Sequence, residues 1–258
     1  VHHSCILNTN TGRQAHMRPN LAQVPSASEY RALFGPGEGR VQVGADASGL
    51  ELRCLGHYLS SFDGGKFAKE LLEGDIHTAL ADIYGTSRKE GKSVTYCLIY
   101  GGGNTKLGLT AGAAKGKAAS KGKEIRNKIM ADLTGFADLT KAIQERAAAT
   151  DTLRGLDGRP IRLQGKHHAA LNYLLQSAGA VICKQWVIRS YELLDEAGID
   201  YWPLAFVHDE LQISVPPSQV ADAEFLITAA MKDIEHRLQF RCALDSEAQH
   251  GSNWSDCH

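Results

Sequence analysis

The sequence at residues 87–103 is SRKEGKSVTYCLIYGGG, and it predicts one helix. Ser87 is a suitable N-cap, and Glu90, three residues later, completes a capping box. The helix is expected to end at the three glycines 101–103, because glycine readily adopts the left-handed conformation that follows a last helical turn. The residues inside this helix determine how the rest of the chain is interpreted.

Four side chains recur at every fourth position of the predicted helix, in the order Arg88, Lys92, Tyr96 and Tyr100. Residues four apart lie on nearly the same face of a helix. Two cations followed by two phenol rings suit a nucleotide lying along that face, because cations bind phosphates through charge-assisted hydrogen bonds and rings contact sugar and base. Taken alone, the pattern also fits an ordinary helix with a solvated basic start and buried tyrosines.

Two further motifs decide between these interpretations, because together with the helix they resemble family A DNA polymerases. The pattern R-x3-K-x3-Y-x3-Y-G resembles the fingers-helix motif of that family, motif B. The sequence DASGLELR at 46–53 resembles motif A, and VHDE at 207–210 resembles motif C. The ending FRCALDSEAQHGSNWSDCH further resembles the replicative polymerases of short-tailed phages. The likeness runs from about residue 11 to residue 258, and the motifs keep the family's order.

The resemblance implies an α+β fold, in which a polymerase palm with a small antiparallel sheet accompanies a helical fingers subdomain. We expect the first part of the palm at residues 1–60, the fingers as a helical insertion at 61–165, and the second part of the palm at 166–258. In the family a thumb precedes the T-G-R segment, here residues 11–13. Since Val1 lies only a few residues before it, we expect this right-hand fold to lack the thumb.

Local patterns support this palm. Residues 41–45 alternate as a short strand, and residues 48–60 have leucines spaced for a buried helix face. Two alternating strands at 204–207 and 211–215 flank His208-Asp209-Glu210, which predicts a hairpin with acids at its tip. An amphipathic helix is predicted at 220–238, and the tail that follows is short and mixed.

The composition excludes several classes of protein. With 258 residues, 43% apolar and 22% charged, the chain has the composition of a soluble globular protein. No run of about 20 apolar residues exists, so we expect no membrane span. The first residue is Val, which suggests a cut into a longer chain. The six cysteines show neither a CxxC pair nor metal-ligand spacing, and they fit free thiols in a reducing cytosol.

Positive charge is concentrated in one part of the chain. Residues 88–128 carry a net charge of +8, and the remainder sums to −9. A basic stretch in a neutral chain is typical of phosphate contact, although a solvated surface is the alternative. The stretch 104–128 is rich in Gly, Ala and Lys and could be a disordered linker. The helical pattern at 125–149 favours instead a mobile part of a folded fingers domain.

The resemblance implies the catalytic residues. Asp46 and Asp209 would bind two Mg2+ ions, assisted by the backbone carbonyl of Ala47, because Mg2+ prefers one or two carboxylates together with phosphate oxygens and water. Glu210 is a secondary catalytic candidate, with a supporting position favoured over direct metal contact. Lys92 would hold the triphosphate and donate a proton to the departing pyrophosphate.

The same resemblance implies a deoxynucleotide site. Its cations would contact the triphosphate, Tyr96 would pack on the deoxyribose, Tyr100 would close the base-pair pocket, and Glu51 would occupy the place of a ribose 2′-hydroxyl. The residues implied to bind the nucleotide are Ala47, Ser48, Gly49, Glu51, His77, Arg88, Lys92, Tyr96 and Tyr100.

Primer–template DNA is the second implied partner. Arg13 would donate to the minor groove of the primer duplex, where every base pair offers an acceptor. His168, Asn172 and Gln176, again four apart, would contact the same groove, and His208 would lie near the primer 3′ end. A processivity factor is expected to dock only through the missing thumb.

The predicted activity is template-dependent addition of deoxynucleotides to a primer, in phage replication in the host cytoplasm. Three alternatives stay open. A single-subunit RNA polymerase shares this palm plan but lacks the motif A glutamate and the HDE triplet. A metal-dependent nuclease leaves the tyrosine helix unexplained. A fragment of a polymerase that binds DNA without catalysis keeps all the motifs, and a primer-extension assay would distinguish it.

Overall fold

The computed structural model describes residues 2–7 and 9–257. The chain forms two compact units. The first, which we call the sheet unit, comprises Val1–Leu50, Ser177–Phe240 and Leu244–His258. The second, the helical unit, comprises Glu51–Gln176 and Arg241–Ala243. Within the described residues, no helix is both long enough and apolar enough to cross a membrane.

The secondary structure is mixed, with short strands and longer helices. The strands are β1 Ser4–Ile6, β2 Ala15–Met17, β3 Val41–Ala47, β4 Thr152–Arg154, β5 Pro160–Arg162, β6 Trp202–Val207, β7 Glu210–Val215 and β8 Ser246–Gly251. The α-helices are α1 Ser28–Arg31, α2 Leu50–Asp63, α3 Lys66–Glu73, α4 Ile76–Tyr84, α5 Arg88–Ile99, α6 Asn104–Thr110, α7 Ala118–Asp132, α8 Phe136–Thr150, α9 Ala170–Glu196 and α10 Val220–Arg237.

The sheet unit is built on four antiparallel strands in the order β6–β7–β3–β8. Successive side chains of a strand point to opposite faces. One face of β3 and β7 is therefore apolar, with Val43 and Ile213 fully buried, and α10 packs on β3 and β8. The other face buries polar groups, where Gln42 donates to Gln212 at 2.7 Å. This sheet confirms the predicted palm strand and hairpin.

The tail after α10 differs from expectation. The sequence predicts a short tail of mixed composition, without a defined element. Residues 246–251 instead form β8, which pairs with β3 so that Glu247 lies opposite Asp46. The strand was missed because its sequence, SEAQHG, has no apolar alternation. A strand on a sheet edge with one solvated side can be polar, since backbone hydrogen bonds hold it in place.

Two predicted helices of the helical unit have different limits. The helix predicted at 48–60 begins at Leu50, because Ser48 and Gly49 form a turn in which Gly49 has a φ of 58°. The single run predicted at 125–149 is two helices, α7 and α8, separated at Gly135, which has a φ of 76°. A left-handed glycine interrupts the helix at little steric cost.

The Gly- and Lys-rich segment 104–128 is folded. It forms α6 and α7, which lie against each other at two glycines. A Cβ added to Gly108 would overlap the backbone of Ala118, and one added to Gly122 would overlap the backbone of Asn104. The glycines therefore permit close helix packing, and the segment is not a linker.

The long helix α9 was predicted in part. It was expected at 168–186, whereas a short 3-10 turn, His167–Ala169, precedes it and the α-helix continues to Glu196. In the sheet unit its Trp186 is fully buried and donates its indole N–H to the carbonyl of Ile227 on α10 at 2.9 Å. This bond fixes α9 against α10, the helix that covers the sheet.

Candidate active site

The two predicted metal-binding carboxylates lie at one end of the sheet. β6 and β7 are joined by the two-residue turn His208–Asp209, with Val207 opposite Glu210. The adjacent strand β3 ends beside this turn, where the backbone N–H of Ala47 donates to the carbonyl of Asp209 at 3.0 Å. The pairing therefore brings together Asp46 and Asp209, which are 163 positions apart in sequence.

The backbone at the hairpin tip is strained. His208 has a φ of 58°, which lies in the left-handed region. This conformation is unfavourable for any residue other than glycine, because the side chain clashes with the backbone. Such conformations persist where the surrounding structure holds them, and they concentrate at functional sites. The turn presents Asp209 beside the end of β3.

These carboxylates suit a divalent cation. Asp46 is exposed and Asp209 is partly exposed, although both neighbours Ala47 and Glu210 are buried. One carboxylate reaches solvent near the end of β3 and the other in the adjacent hairpin turn. Such a pair offers the oxygen ligands that Mg2+ prefers. Ser48, whose N–H donates to the carbonyl of Asp245 at 3.0 Å, fixes the chain as it leaves β3.

Glu210 has a different environment from the two aspartates. It is only 4% exposed. Its Oε1 accepts hydrogen bonds from the indole N–H of Trp254 and from Gln212 at 2.8 Å, and its Oε2 lies 3.5 Å from Nη1 of Arg31. The guanidinium of Arg31 in turn lies 4.7 Å from the ring centre of Trp254. The Glu210 carboxylate is therefore bonded to side chains inside the sheet unit, as expected of a residue that supports Asp209 without binding the metal.

The predicted fingers helix is confirmed as α5. Ser87 and Glu90 form the full capping box, and Gly101 follows with a φ of 75°. Gly91 lies against α4, since a Cβ there would meet the Ala81 Cβ at 2.5 Å. No sequence pattern marks Gly91, although the absence of a side chain there sets the spacing between α4 and α5.

Three predicted phosphate-binding side chains form a basic group in the helical unit. His77 lies in the first turn of α4 and is half-buried. Burial, and then the nearby charges of Lys92 and Arg88, lower the pKa of His77. Arg88 also donates to Asp75, the N-cap of α4, at 2.8 Å, and this bond holds the pKa of the Asp75 carboxyl well below its usual range. The cluster offers positive charge to an anion.

The residues predicted to select the nucleotide also contact one another. The rings of Tyr96 and Tyr100 stack with centroids 6.1 Å apart and planes 27° apart. The hydroxyl of Tyr100 donates to Oε1 of the buried Glu51 at 2.7 Å. The start of α2 and the end of α5 are therefore joined through the two side chains expected to meet sugar and base.

The predicted DNA-binding residues fall into two groups. In the sheet unit, Arg13 and His208 line one small depression together with Lys184, whose Nζ donates to the carbonyl of Gly12 at 2.6 Å. Lys184 was not predicted to lie beside Arg13 and His208, because a single lysine inside an apolar helix sequence forms no distinctive pattern.

In the helical unit, His168 is exposed and Gln176 is partly exposed, whereas Asn172 is buried and donates to the carbonyl of Ile99 at 3.1 Å. His168 and Asn172 also line a cavity of about 610 Å³ together with Arg126. The four-residue spacing therefore does not give three equivalent surface side chains.

The antiparallel sheet carries one aspartate in its hairpin turn and a second near the end of the adjacent strand. Together with a helical unit that contains a basic, tyrosine-bearing helix, this arrangement defines the palm-and-fingers class of nucleic-acid polymerases. Within that class the chain belongs to DNA polymerase family A, whose family model matches residues 1–256.

Phage and bacterial polymerases are similar to most of this chain. The DNA-directed DNA polymerases of Enterobacteria phage T3 and Escherichia phage T7 are 37% and 38% identical to it over 285 and 286 residues. Each alignment covers 96% of this chain and 40% of the relative, so the chain spans about two fifths of their length. DNA polymerase I of Pseudomonas aeruginosa is 27% identical over 278 residues, which cover 96% of this chain and 29% of the relative.

A solved structure has the same fold. It is the POL domain of Pol1 from M. smegmatis in complex with a DNA primer–template and dNTP. The match has a TM-score of 0.83 and 22% identity, and it covers 99% of this chain and 48% of the other.

Proposed function

We propose that the protein is a DNA-directed DNA polymerase that adds deoxynucleotides to a primer 3′ end by two-metal-ion nucleotidyl transfer. The sheet unit would be the palm and the helical unit the fingers. The observation that carries the proposal is the bond from Ala47 to Asp209, which brings two solvent-accessible aspartates together in a member of this family. The phage relatives support a role in phage replication, in the cytoplasm of an infected bacterium.

In this proposal Asp46 and Asp209 hold two Mg2+ ions, with the carbonyl of Ala47 as a further oxygen ligand. When bound, such ions activate the attacking 3′-oxygen and neutralise charge on the phosphate and pyrophosphate. The protein's contribution is to hold the two carboxylates beside each other, because the hydrogen bond from Ala47 to Asp209 joins the end of β3 to the hairpin turn. Glu210 contributes indirectly, because its bonds to Trp254 and Gln212 fix the start of β7 next to the turn.

The helical unit would bind the triphosphate. Arg88 and Lys92 donate charge-assisted hydrogen bonds to phosphate oxygens, and His77 adds a neutral N–H at pH 7 because its pKa is lowered. Lys92 also carries a proton that the leaving pyrophosphate can accept. Tyr96 packs on the deoxyribose, and Tyr100 and Glu51 limit the space for the base pair and for a ribose 2′-hydroxyl.

Primer–template DNA would contact the residues that the sequence predicts to bind DNA. Arg13 and His208 bind near the primer end, and His168 and Gln176 reach acceptors in the minor groove. Asn172 is buried and donates one amide N–H to the carbonyl of Ile99, so a contact with DNA would use its second N–H or its amide oxygen. The solved relative with bound primer–template and dNTP supports these partners for the fold.

The test is primer extension with Mg2+ and deoxynucleotides, comparing the wild type with Asp46→Asn and Asp209→Asn. Each variant should lose more than roughly a hundredfold in rate, because the lost interaction stabilises the transition state. Both should keep a urea midpoint close to that of the wild type, because Asp→Asn preserves the shape of a side chain that reaches solvent. Glu247→Gln is the matched control, because Glu247 is an exposed carboxylate directly opposite Asp46 and should leave extension unchanged.

Two outcomes would contradict the proposal. If either aspartate variant extended primers within tenfold of the wild type, that residue would not hold a catalytic metal. If the wild type bound primer–template but added no nucleotide at saturating substrate, the chain would be a DNA-binding part of a polymerase without activity of its own.

A further inference from the structure

A group of three potential metal ligands lies in the sheet unit, outside the candidate active site. β1 and β2 pair so that Cys5 is directly opposite His16. His3 precedes Cys5 by two residues and therefore lies on the same side of the chain. The ligand atoms of His3, Cys5 and His16 all lie within 4.8 Å of one another. Among residues 2–7 and 9–257, no other three such side chains come this close.

The spacing of these atoms matches that of a tetrahedral site. Sγ of Cys5 is 3.8 Å from Nδ1 of His16. Zinc bonds of 2.3 Å to sulfur and 2.0–2.1 Å to nitrogen, at a tetrahedral angle, separate the two ligands by about 3.6 Å. The rings of His3 and His16 are nearly parallel, with centroids 4.9 Å apart and planes 13° apart. Since a metal ion lies in the plane of each imidazole that binds it, one of the two stacked rings would have to turn for both to coordinate the same ion.

His16 lacks the partners that a buried imidazole normally has. The residue is 5% exposed, and its Nε2 has no hydrogen-bond partner among the described residues. Its Nδ1 faces the thiol of Cys5, a weak hydrogen-bonding group. Nδ1 is therefore the ring nitrogen that a cation beside the Cys5 thiol would meet. Coordination there would replace a weak contact with a stronger bond, and Nε2 would keep the ring proton.

We propose that His3, Cys5 and His16 bind a borderline transition-metal cation, Zn2+ in the first instance, with water in the fourth position. On binding, the Cys5 thiol loses its proton to solvent, and the two imidazoles coordinate in their neutral forms. Thiolate and imidazole ligands favour Zn2+ over Mg2+, which prefers carboxylate and water. This site is therefore chemically distinct from the Asp46–Asp209 pair, and it does not depend on the proposed polymerase activity.

The ion would link the two strands of a small hairpin. β1 and β2 pair through only three residues each, from Ser4 opposite Met17 to Ile6 opposite Ala15. Metal bonds across this pair add folding free energy that three-residue strands cannot supply alone. Zinc should therefore slow amide hydrogen exchange in β1 and β2 and leave exchange in α10 unchanged.

The direct test titrates metal-free protein with Zn2+ against a chromophoric chelator, in excess Mg2+ so that carboxylate sites are saturated. We expect one tight equivalent. Cys5→Ser and His16→Ala should each weaken Zn2+ binding by at least about a hundredfold. Loss of a residue that only supports a ligand already weakens metal binding by about 10–100-fold, and loss of the ligand itself should weaken it more. His236→Ala is the matched control, because it removes an exposed imidazole on α10 and should leave the affinity unchanged.

Co2+ identifies the sulfur ligand directly. The wild type and His236→Ala should show a thiolate-to-cobalt charge-transfer band, and Cys5→Ser should not. Cys5 is exposed, so its serine variant should keep the wild-type circular dichroism spectrum even if His16→Ala fails to fold. The proposal is overturned if the wild type shows no charge-transfer band, or if folded Cys5→Ser binds Zn2+ as tightly as the wild type.

Discussion

Replacing Glu210 with alanine should destabilise the sheet unit strongly, although Glu210 belongs to the same motif as Asp209. Its carboxylate accepts from Trp254 and Gln212 and lies 3.5 Å from Arg31. The side chains of Arg31 and Glu210 are only 11% and 6% exposed. Truncation would therefore leave a buried cation without its counter-ion and two buried donors without their acceptor.

The expected cost is large. Removing one partner of a buried ion pair typically costs about 3–5 kcal/mol. With a urea m-value of about 2 kcal/mol/M, the midpoint should fall by about 1.5–2.5 M. The three tryptophans, Trp186, Trp202 and Trp254, all belong to the sheet unit, so their fluorescence reports its unfolding. Glu210→Gln keeps an acceptor oxygen and should lose less, about 1–3 kcal/mol.

Glu247→Ala provides the control, because it removes an exposed carboxylate from the edge strand β8 of the same sheet and should change stability by no more than about 0.5 kcal/mol. The reasoning would be refuted if Glu210→Ala shifted the midpoint no more than Glu247→Ala. A variant that was fully stable yet inactive in primer extension would instead assign Glu210 to the chemistry.

Two further predictions concern the helical unit. Glu51→Ala should lower the ratio of deoxynucleotide to ribonucleotide incorporation by about tenfold or more, because it removes both the acceptor of the Tyr100 hydroxyl and the group expected to exclude a 2′-hydroxyl; an unchanged ratio would exclude Glu51 from sugar selection. Burial, and then Arg241, lower the pKa of His57 from 6.5 to about 4. Between these values the unfolded chain therefore binds a proton that the folded chain does not. The stability is full above pH 6.5 and falls as the pH drops towards 4, by about 1–2 kcal/mol once solvent screening of this partly exposed ring is allowed for. His57→Asn, which keeps an acceptor for the Arg241 backbone N–H, should flatten this dependence in urea unfolding followed by circular dichroism between pH 4.5 and 7, and an equal slope in both proteins would disprove the assignment.

The sequence by itself determined features whose causes lie within a few residues. The capping box of Ser87 and Glu90 fixed the start of α5, because both partners are three positions apart. The alternating apolar and polar residues on either side of His208-Asp209 predicted the hairpin. They therefore also predicted that its acidic residues lie at the tip. Three motifs in a fixed order were also enough to recognise the family, because each combines residue types at short, defined spacing.

Only the tertiary structure decided features that depend on partners distant in sequence. Polar β8 is a strand because β3 offers it backbone hydrogen bonds, which a sequence pattern does not show. The sequence left a disordered linker at 104–128 as an alternative to a folded segment, and only the close packing of α6 on α7 at Gly108 and Gly122 excludes it.

The functional side chains show the same division. The sequence already favoured a supporting position for Glu210 beside Asp209 in one motif. Only the structure identifies its partners, because Trp254 and Arg31 reach Glu210 from other parts of the chain. Cysteine spacing gave no indication of the proposed metal site, because Cys5 comes opposite His16 only through strand pairing. Side-chain identity is set along the chain, whereas burial, charge partners and ligand geometry are set by what folding brings into contact.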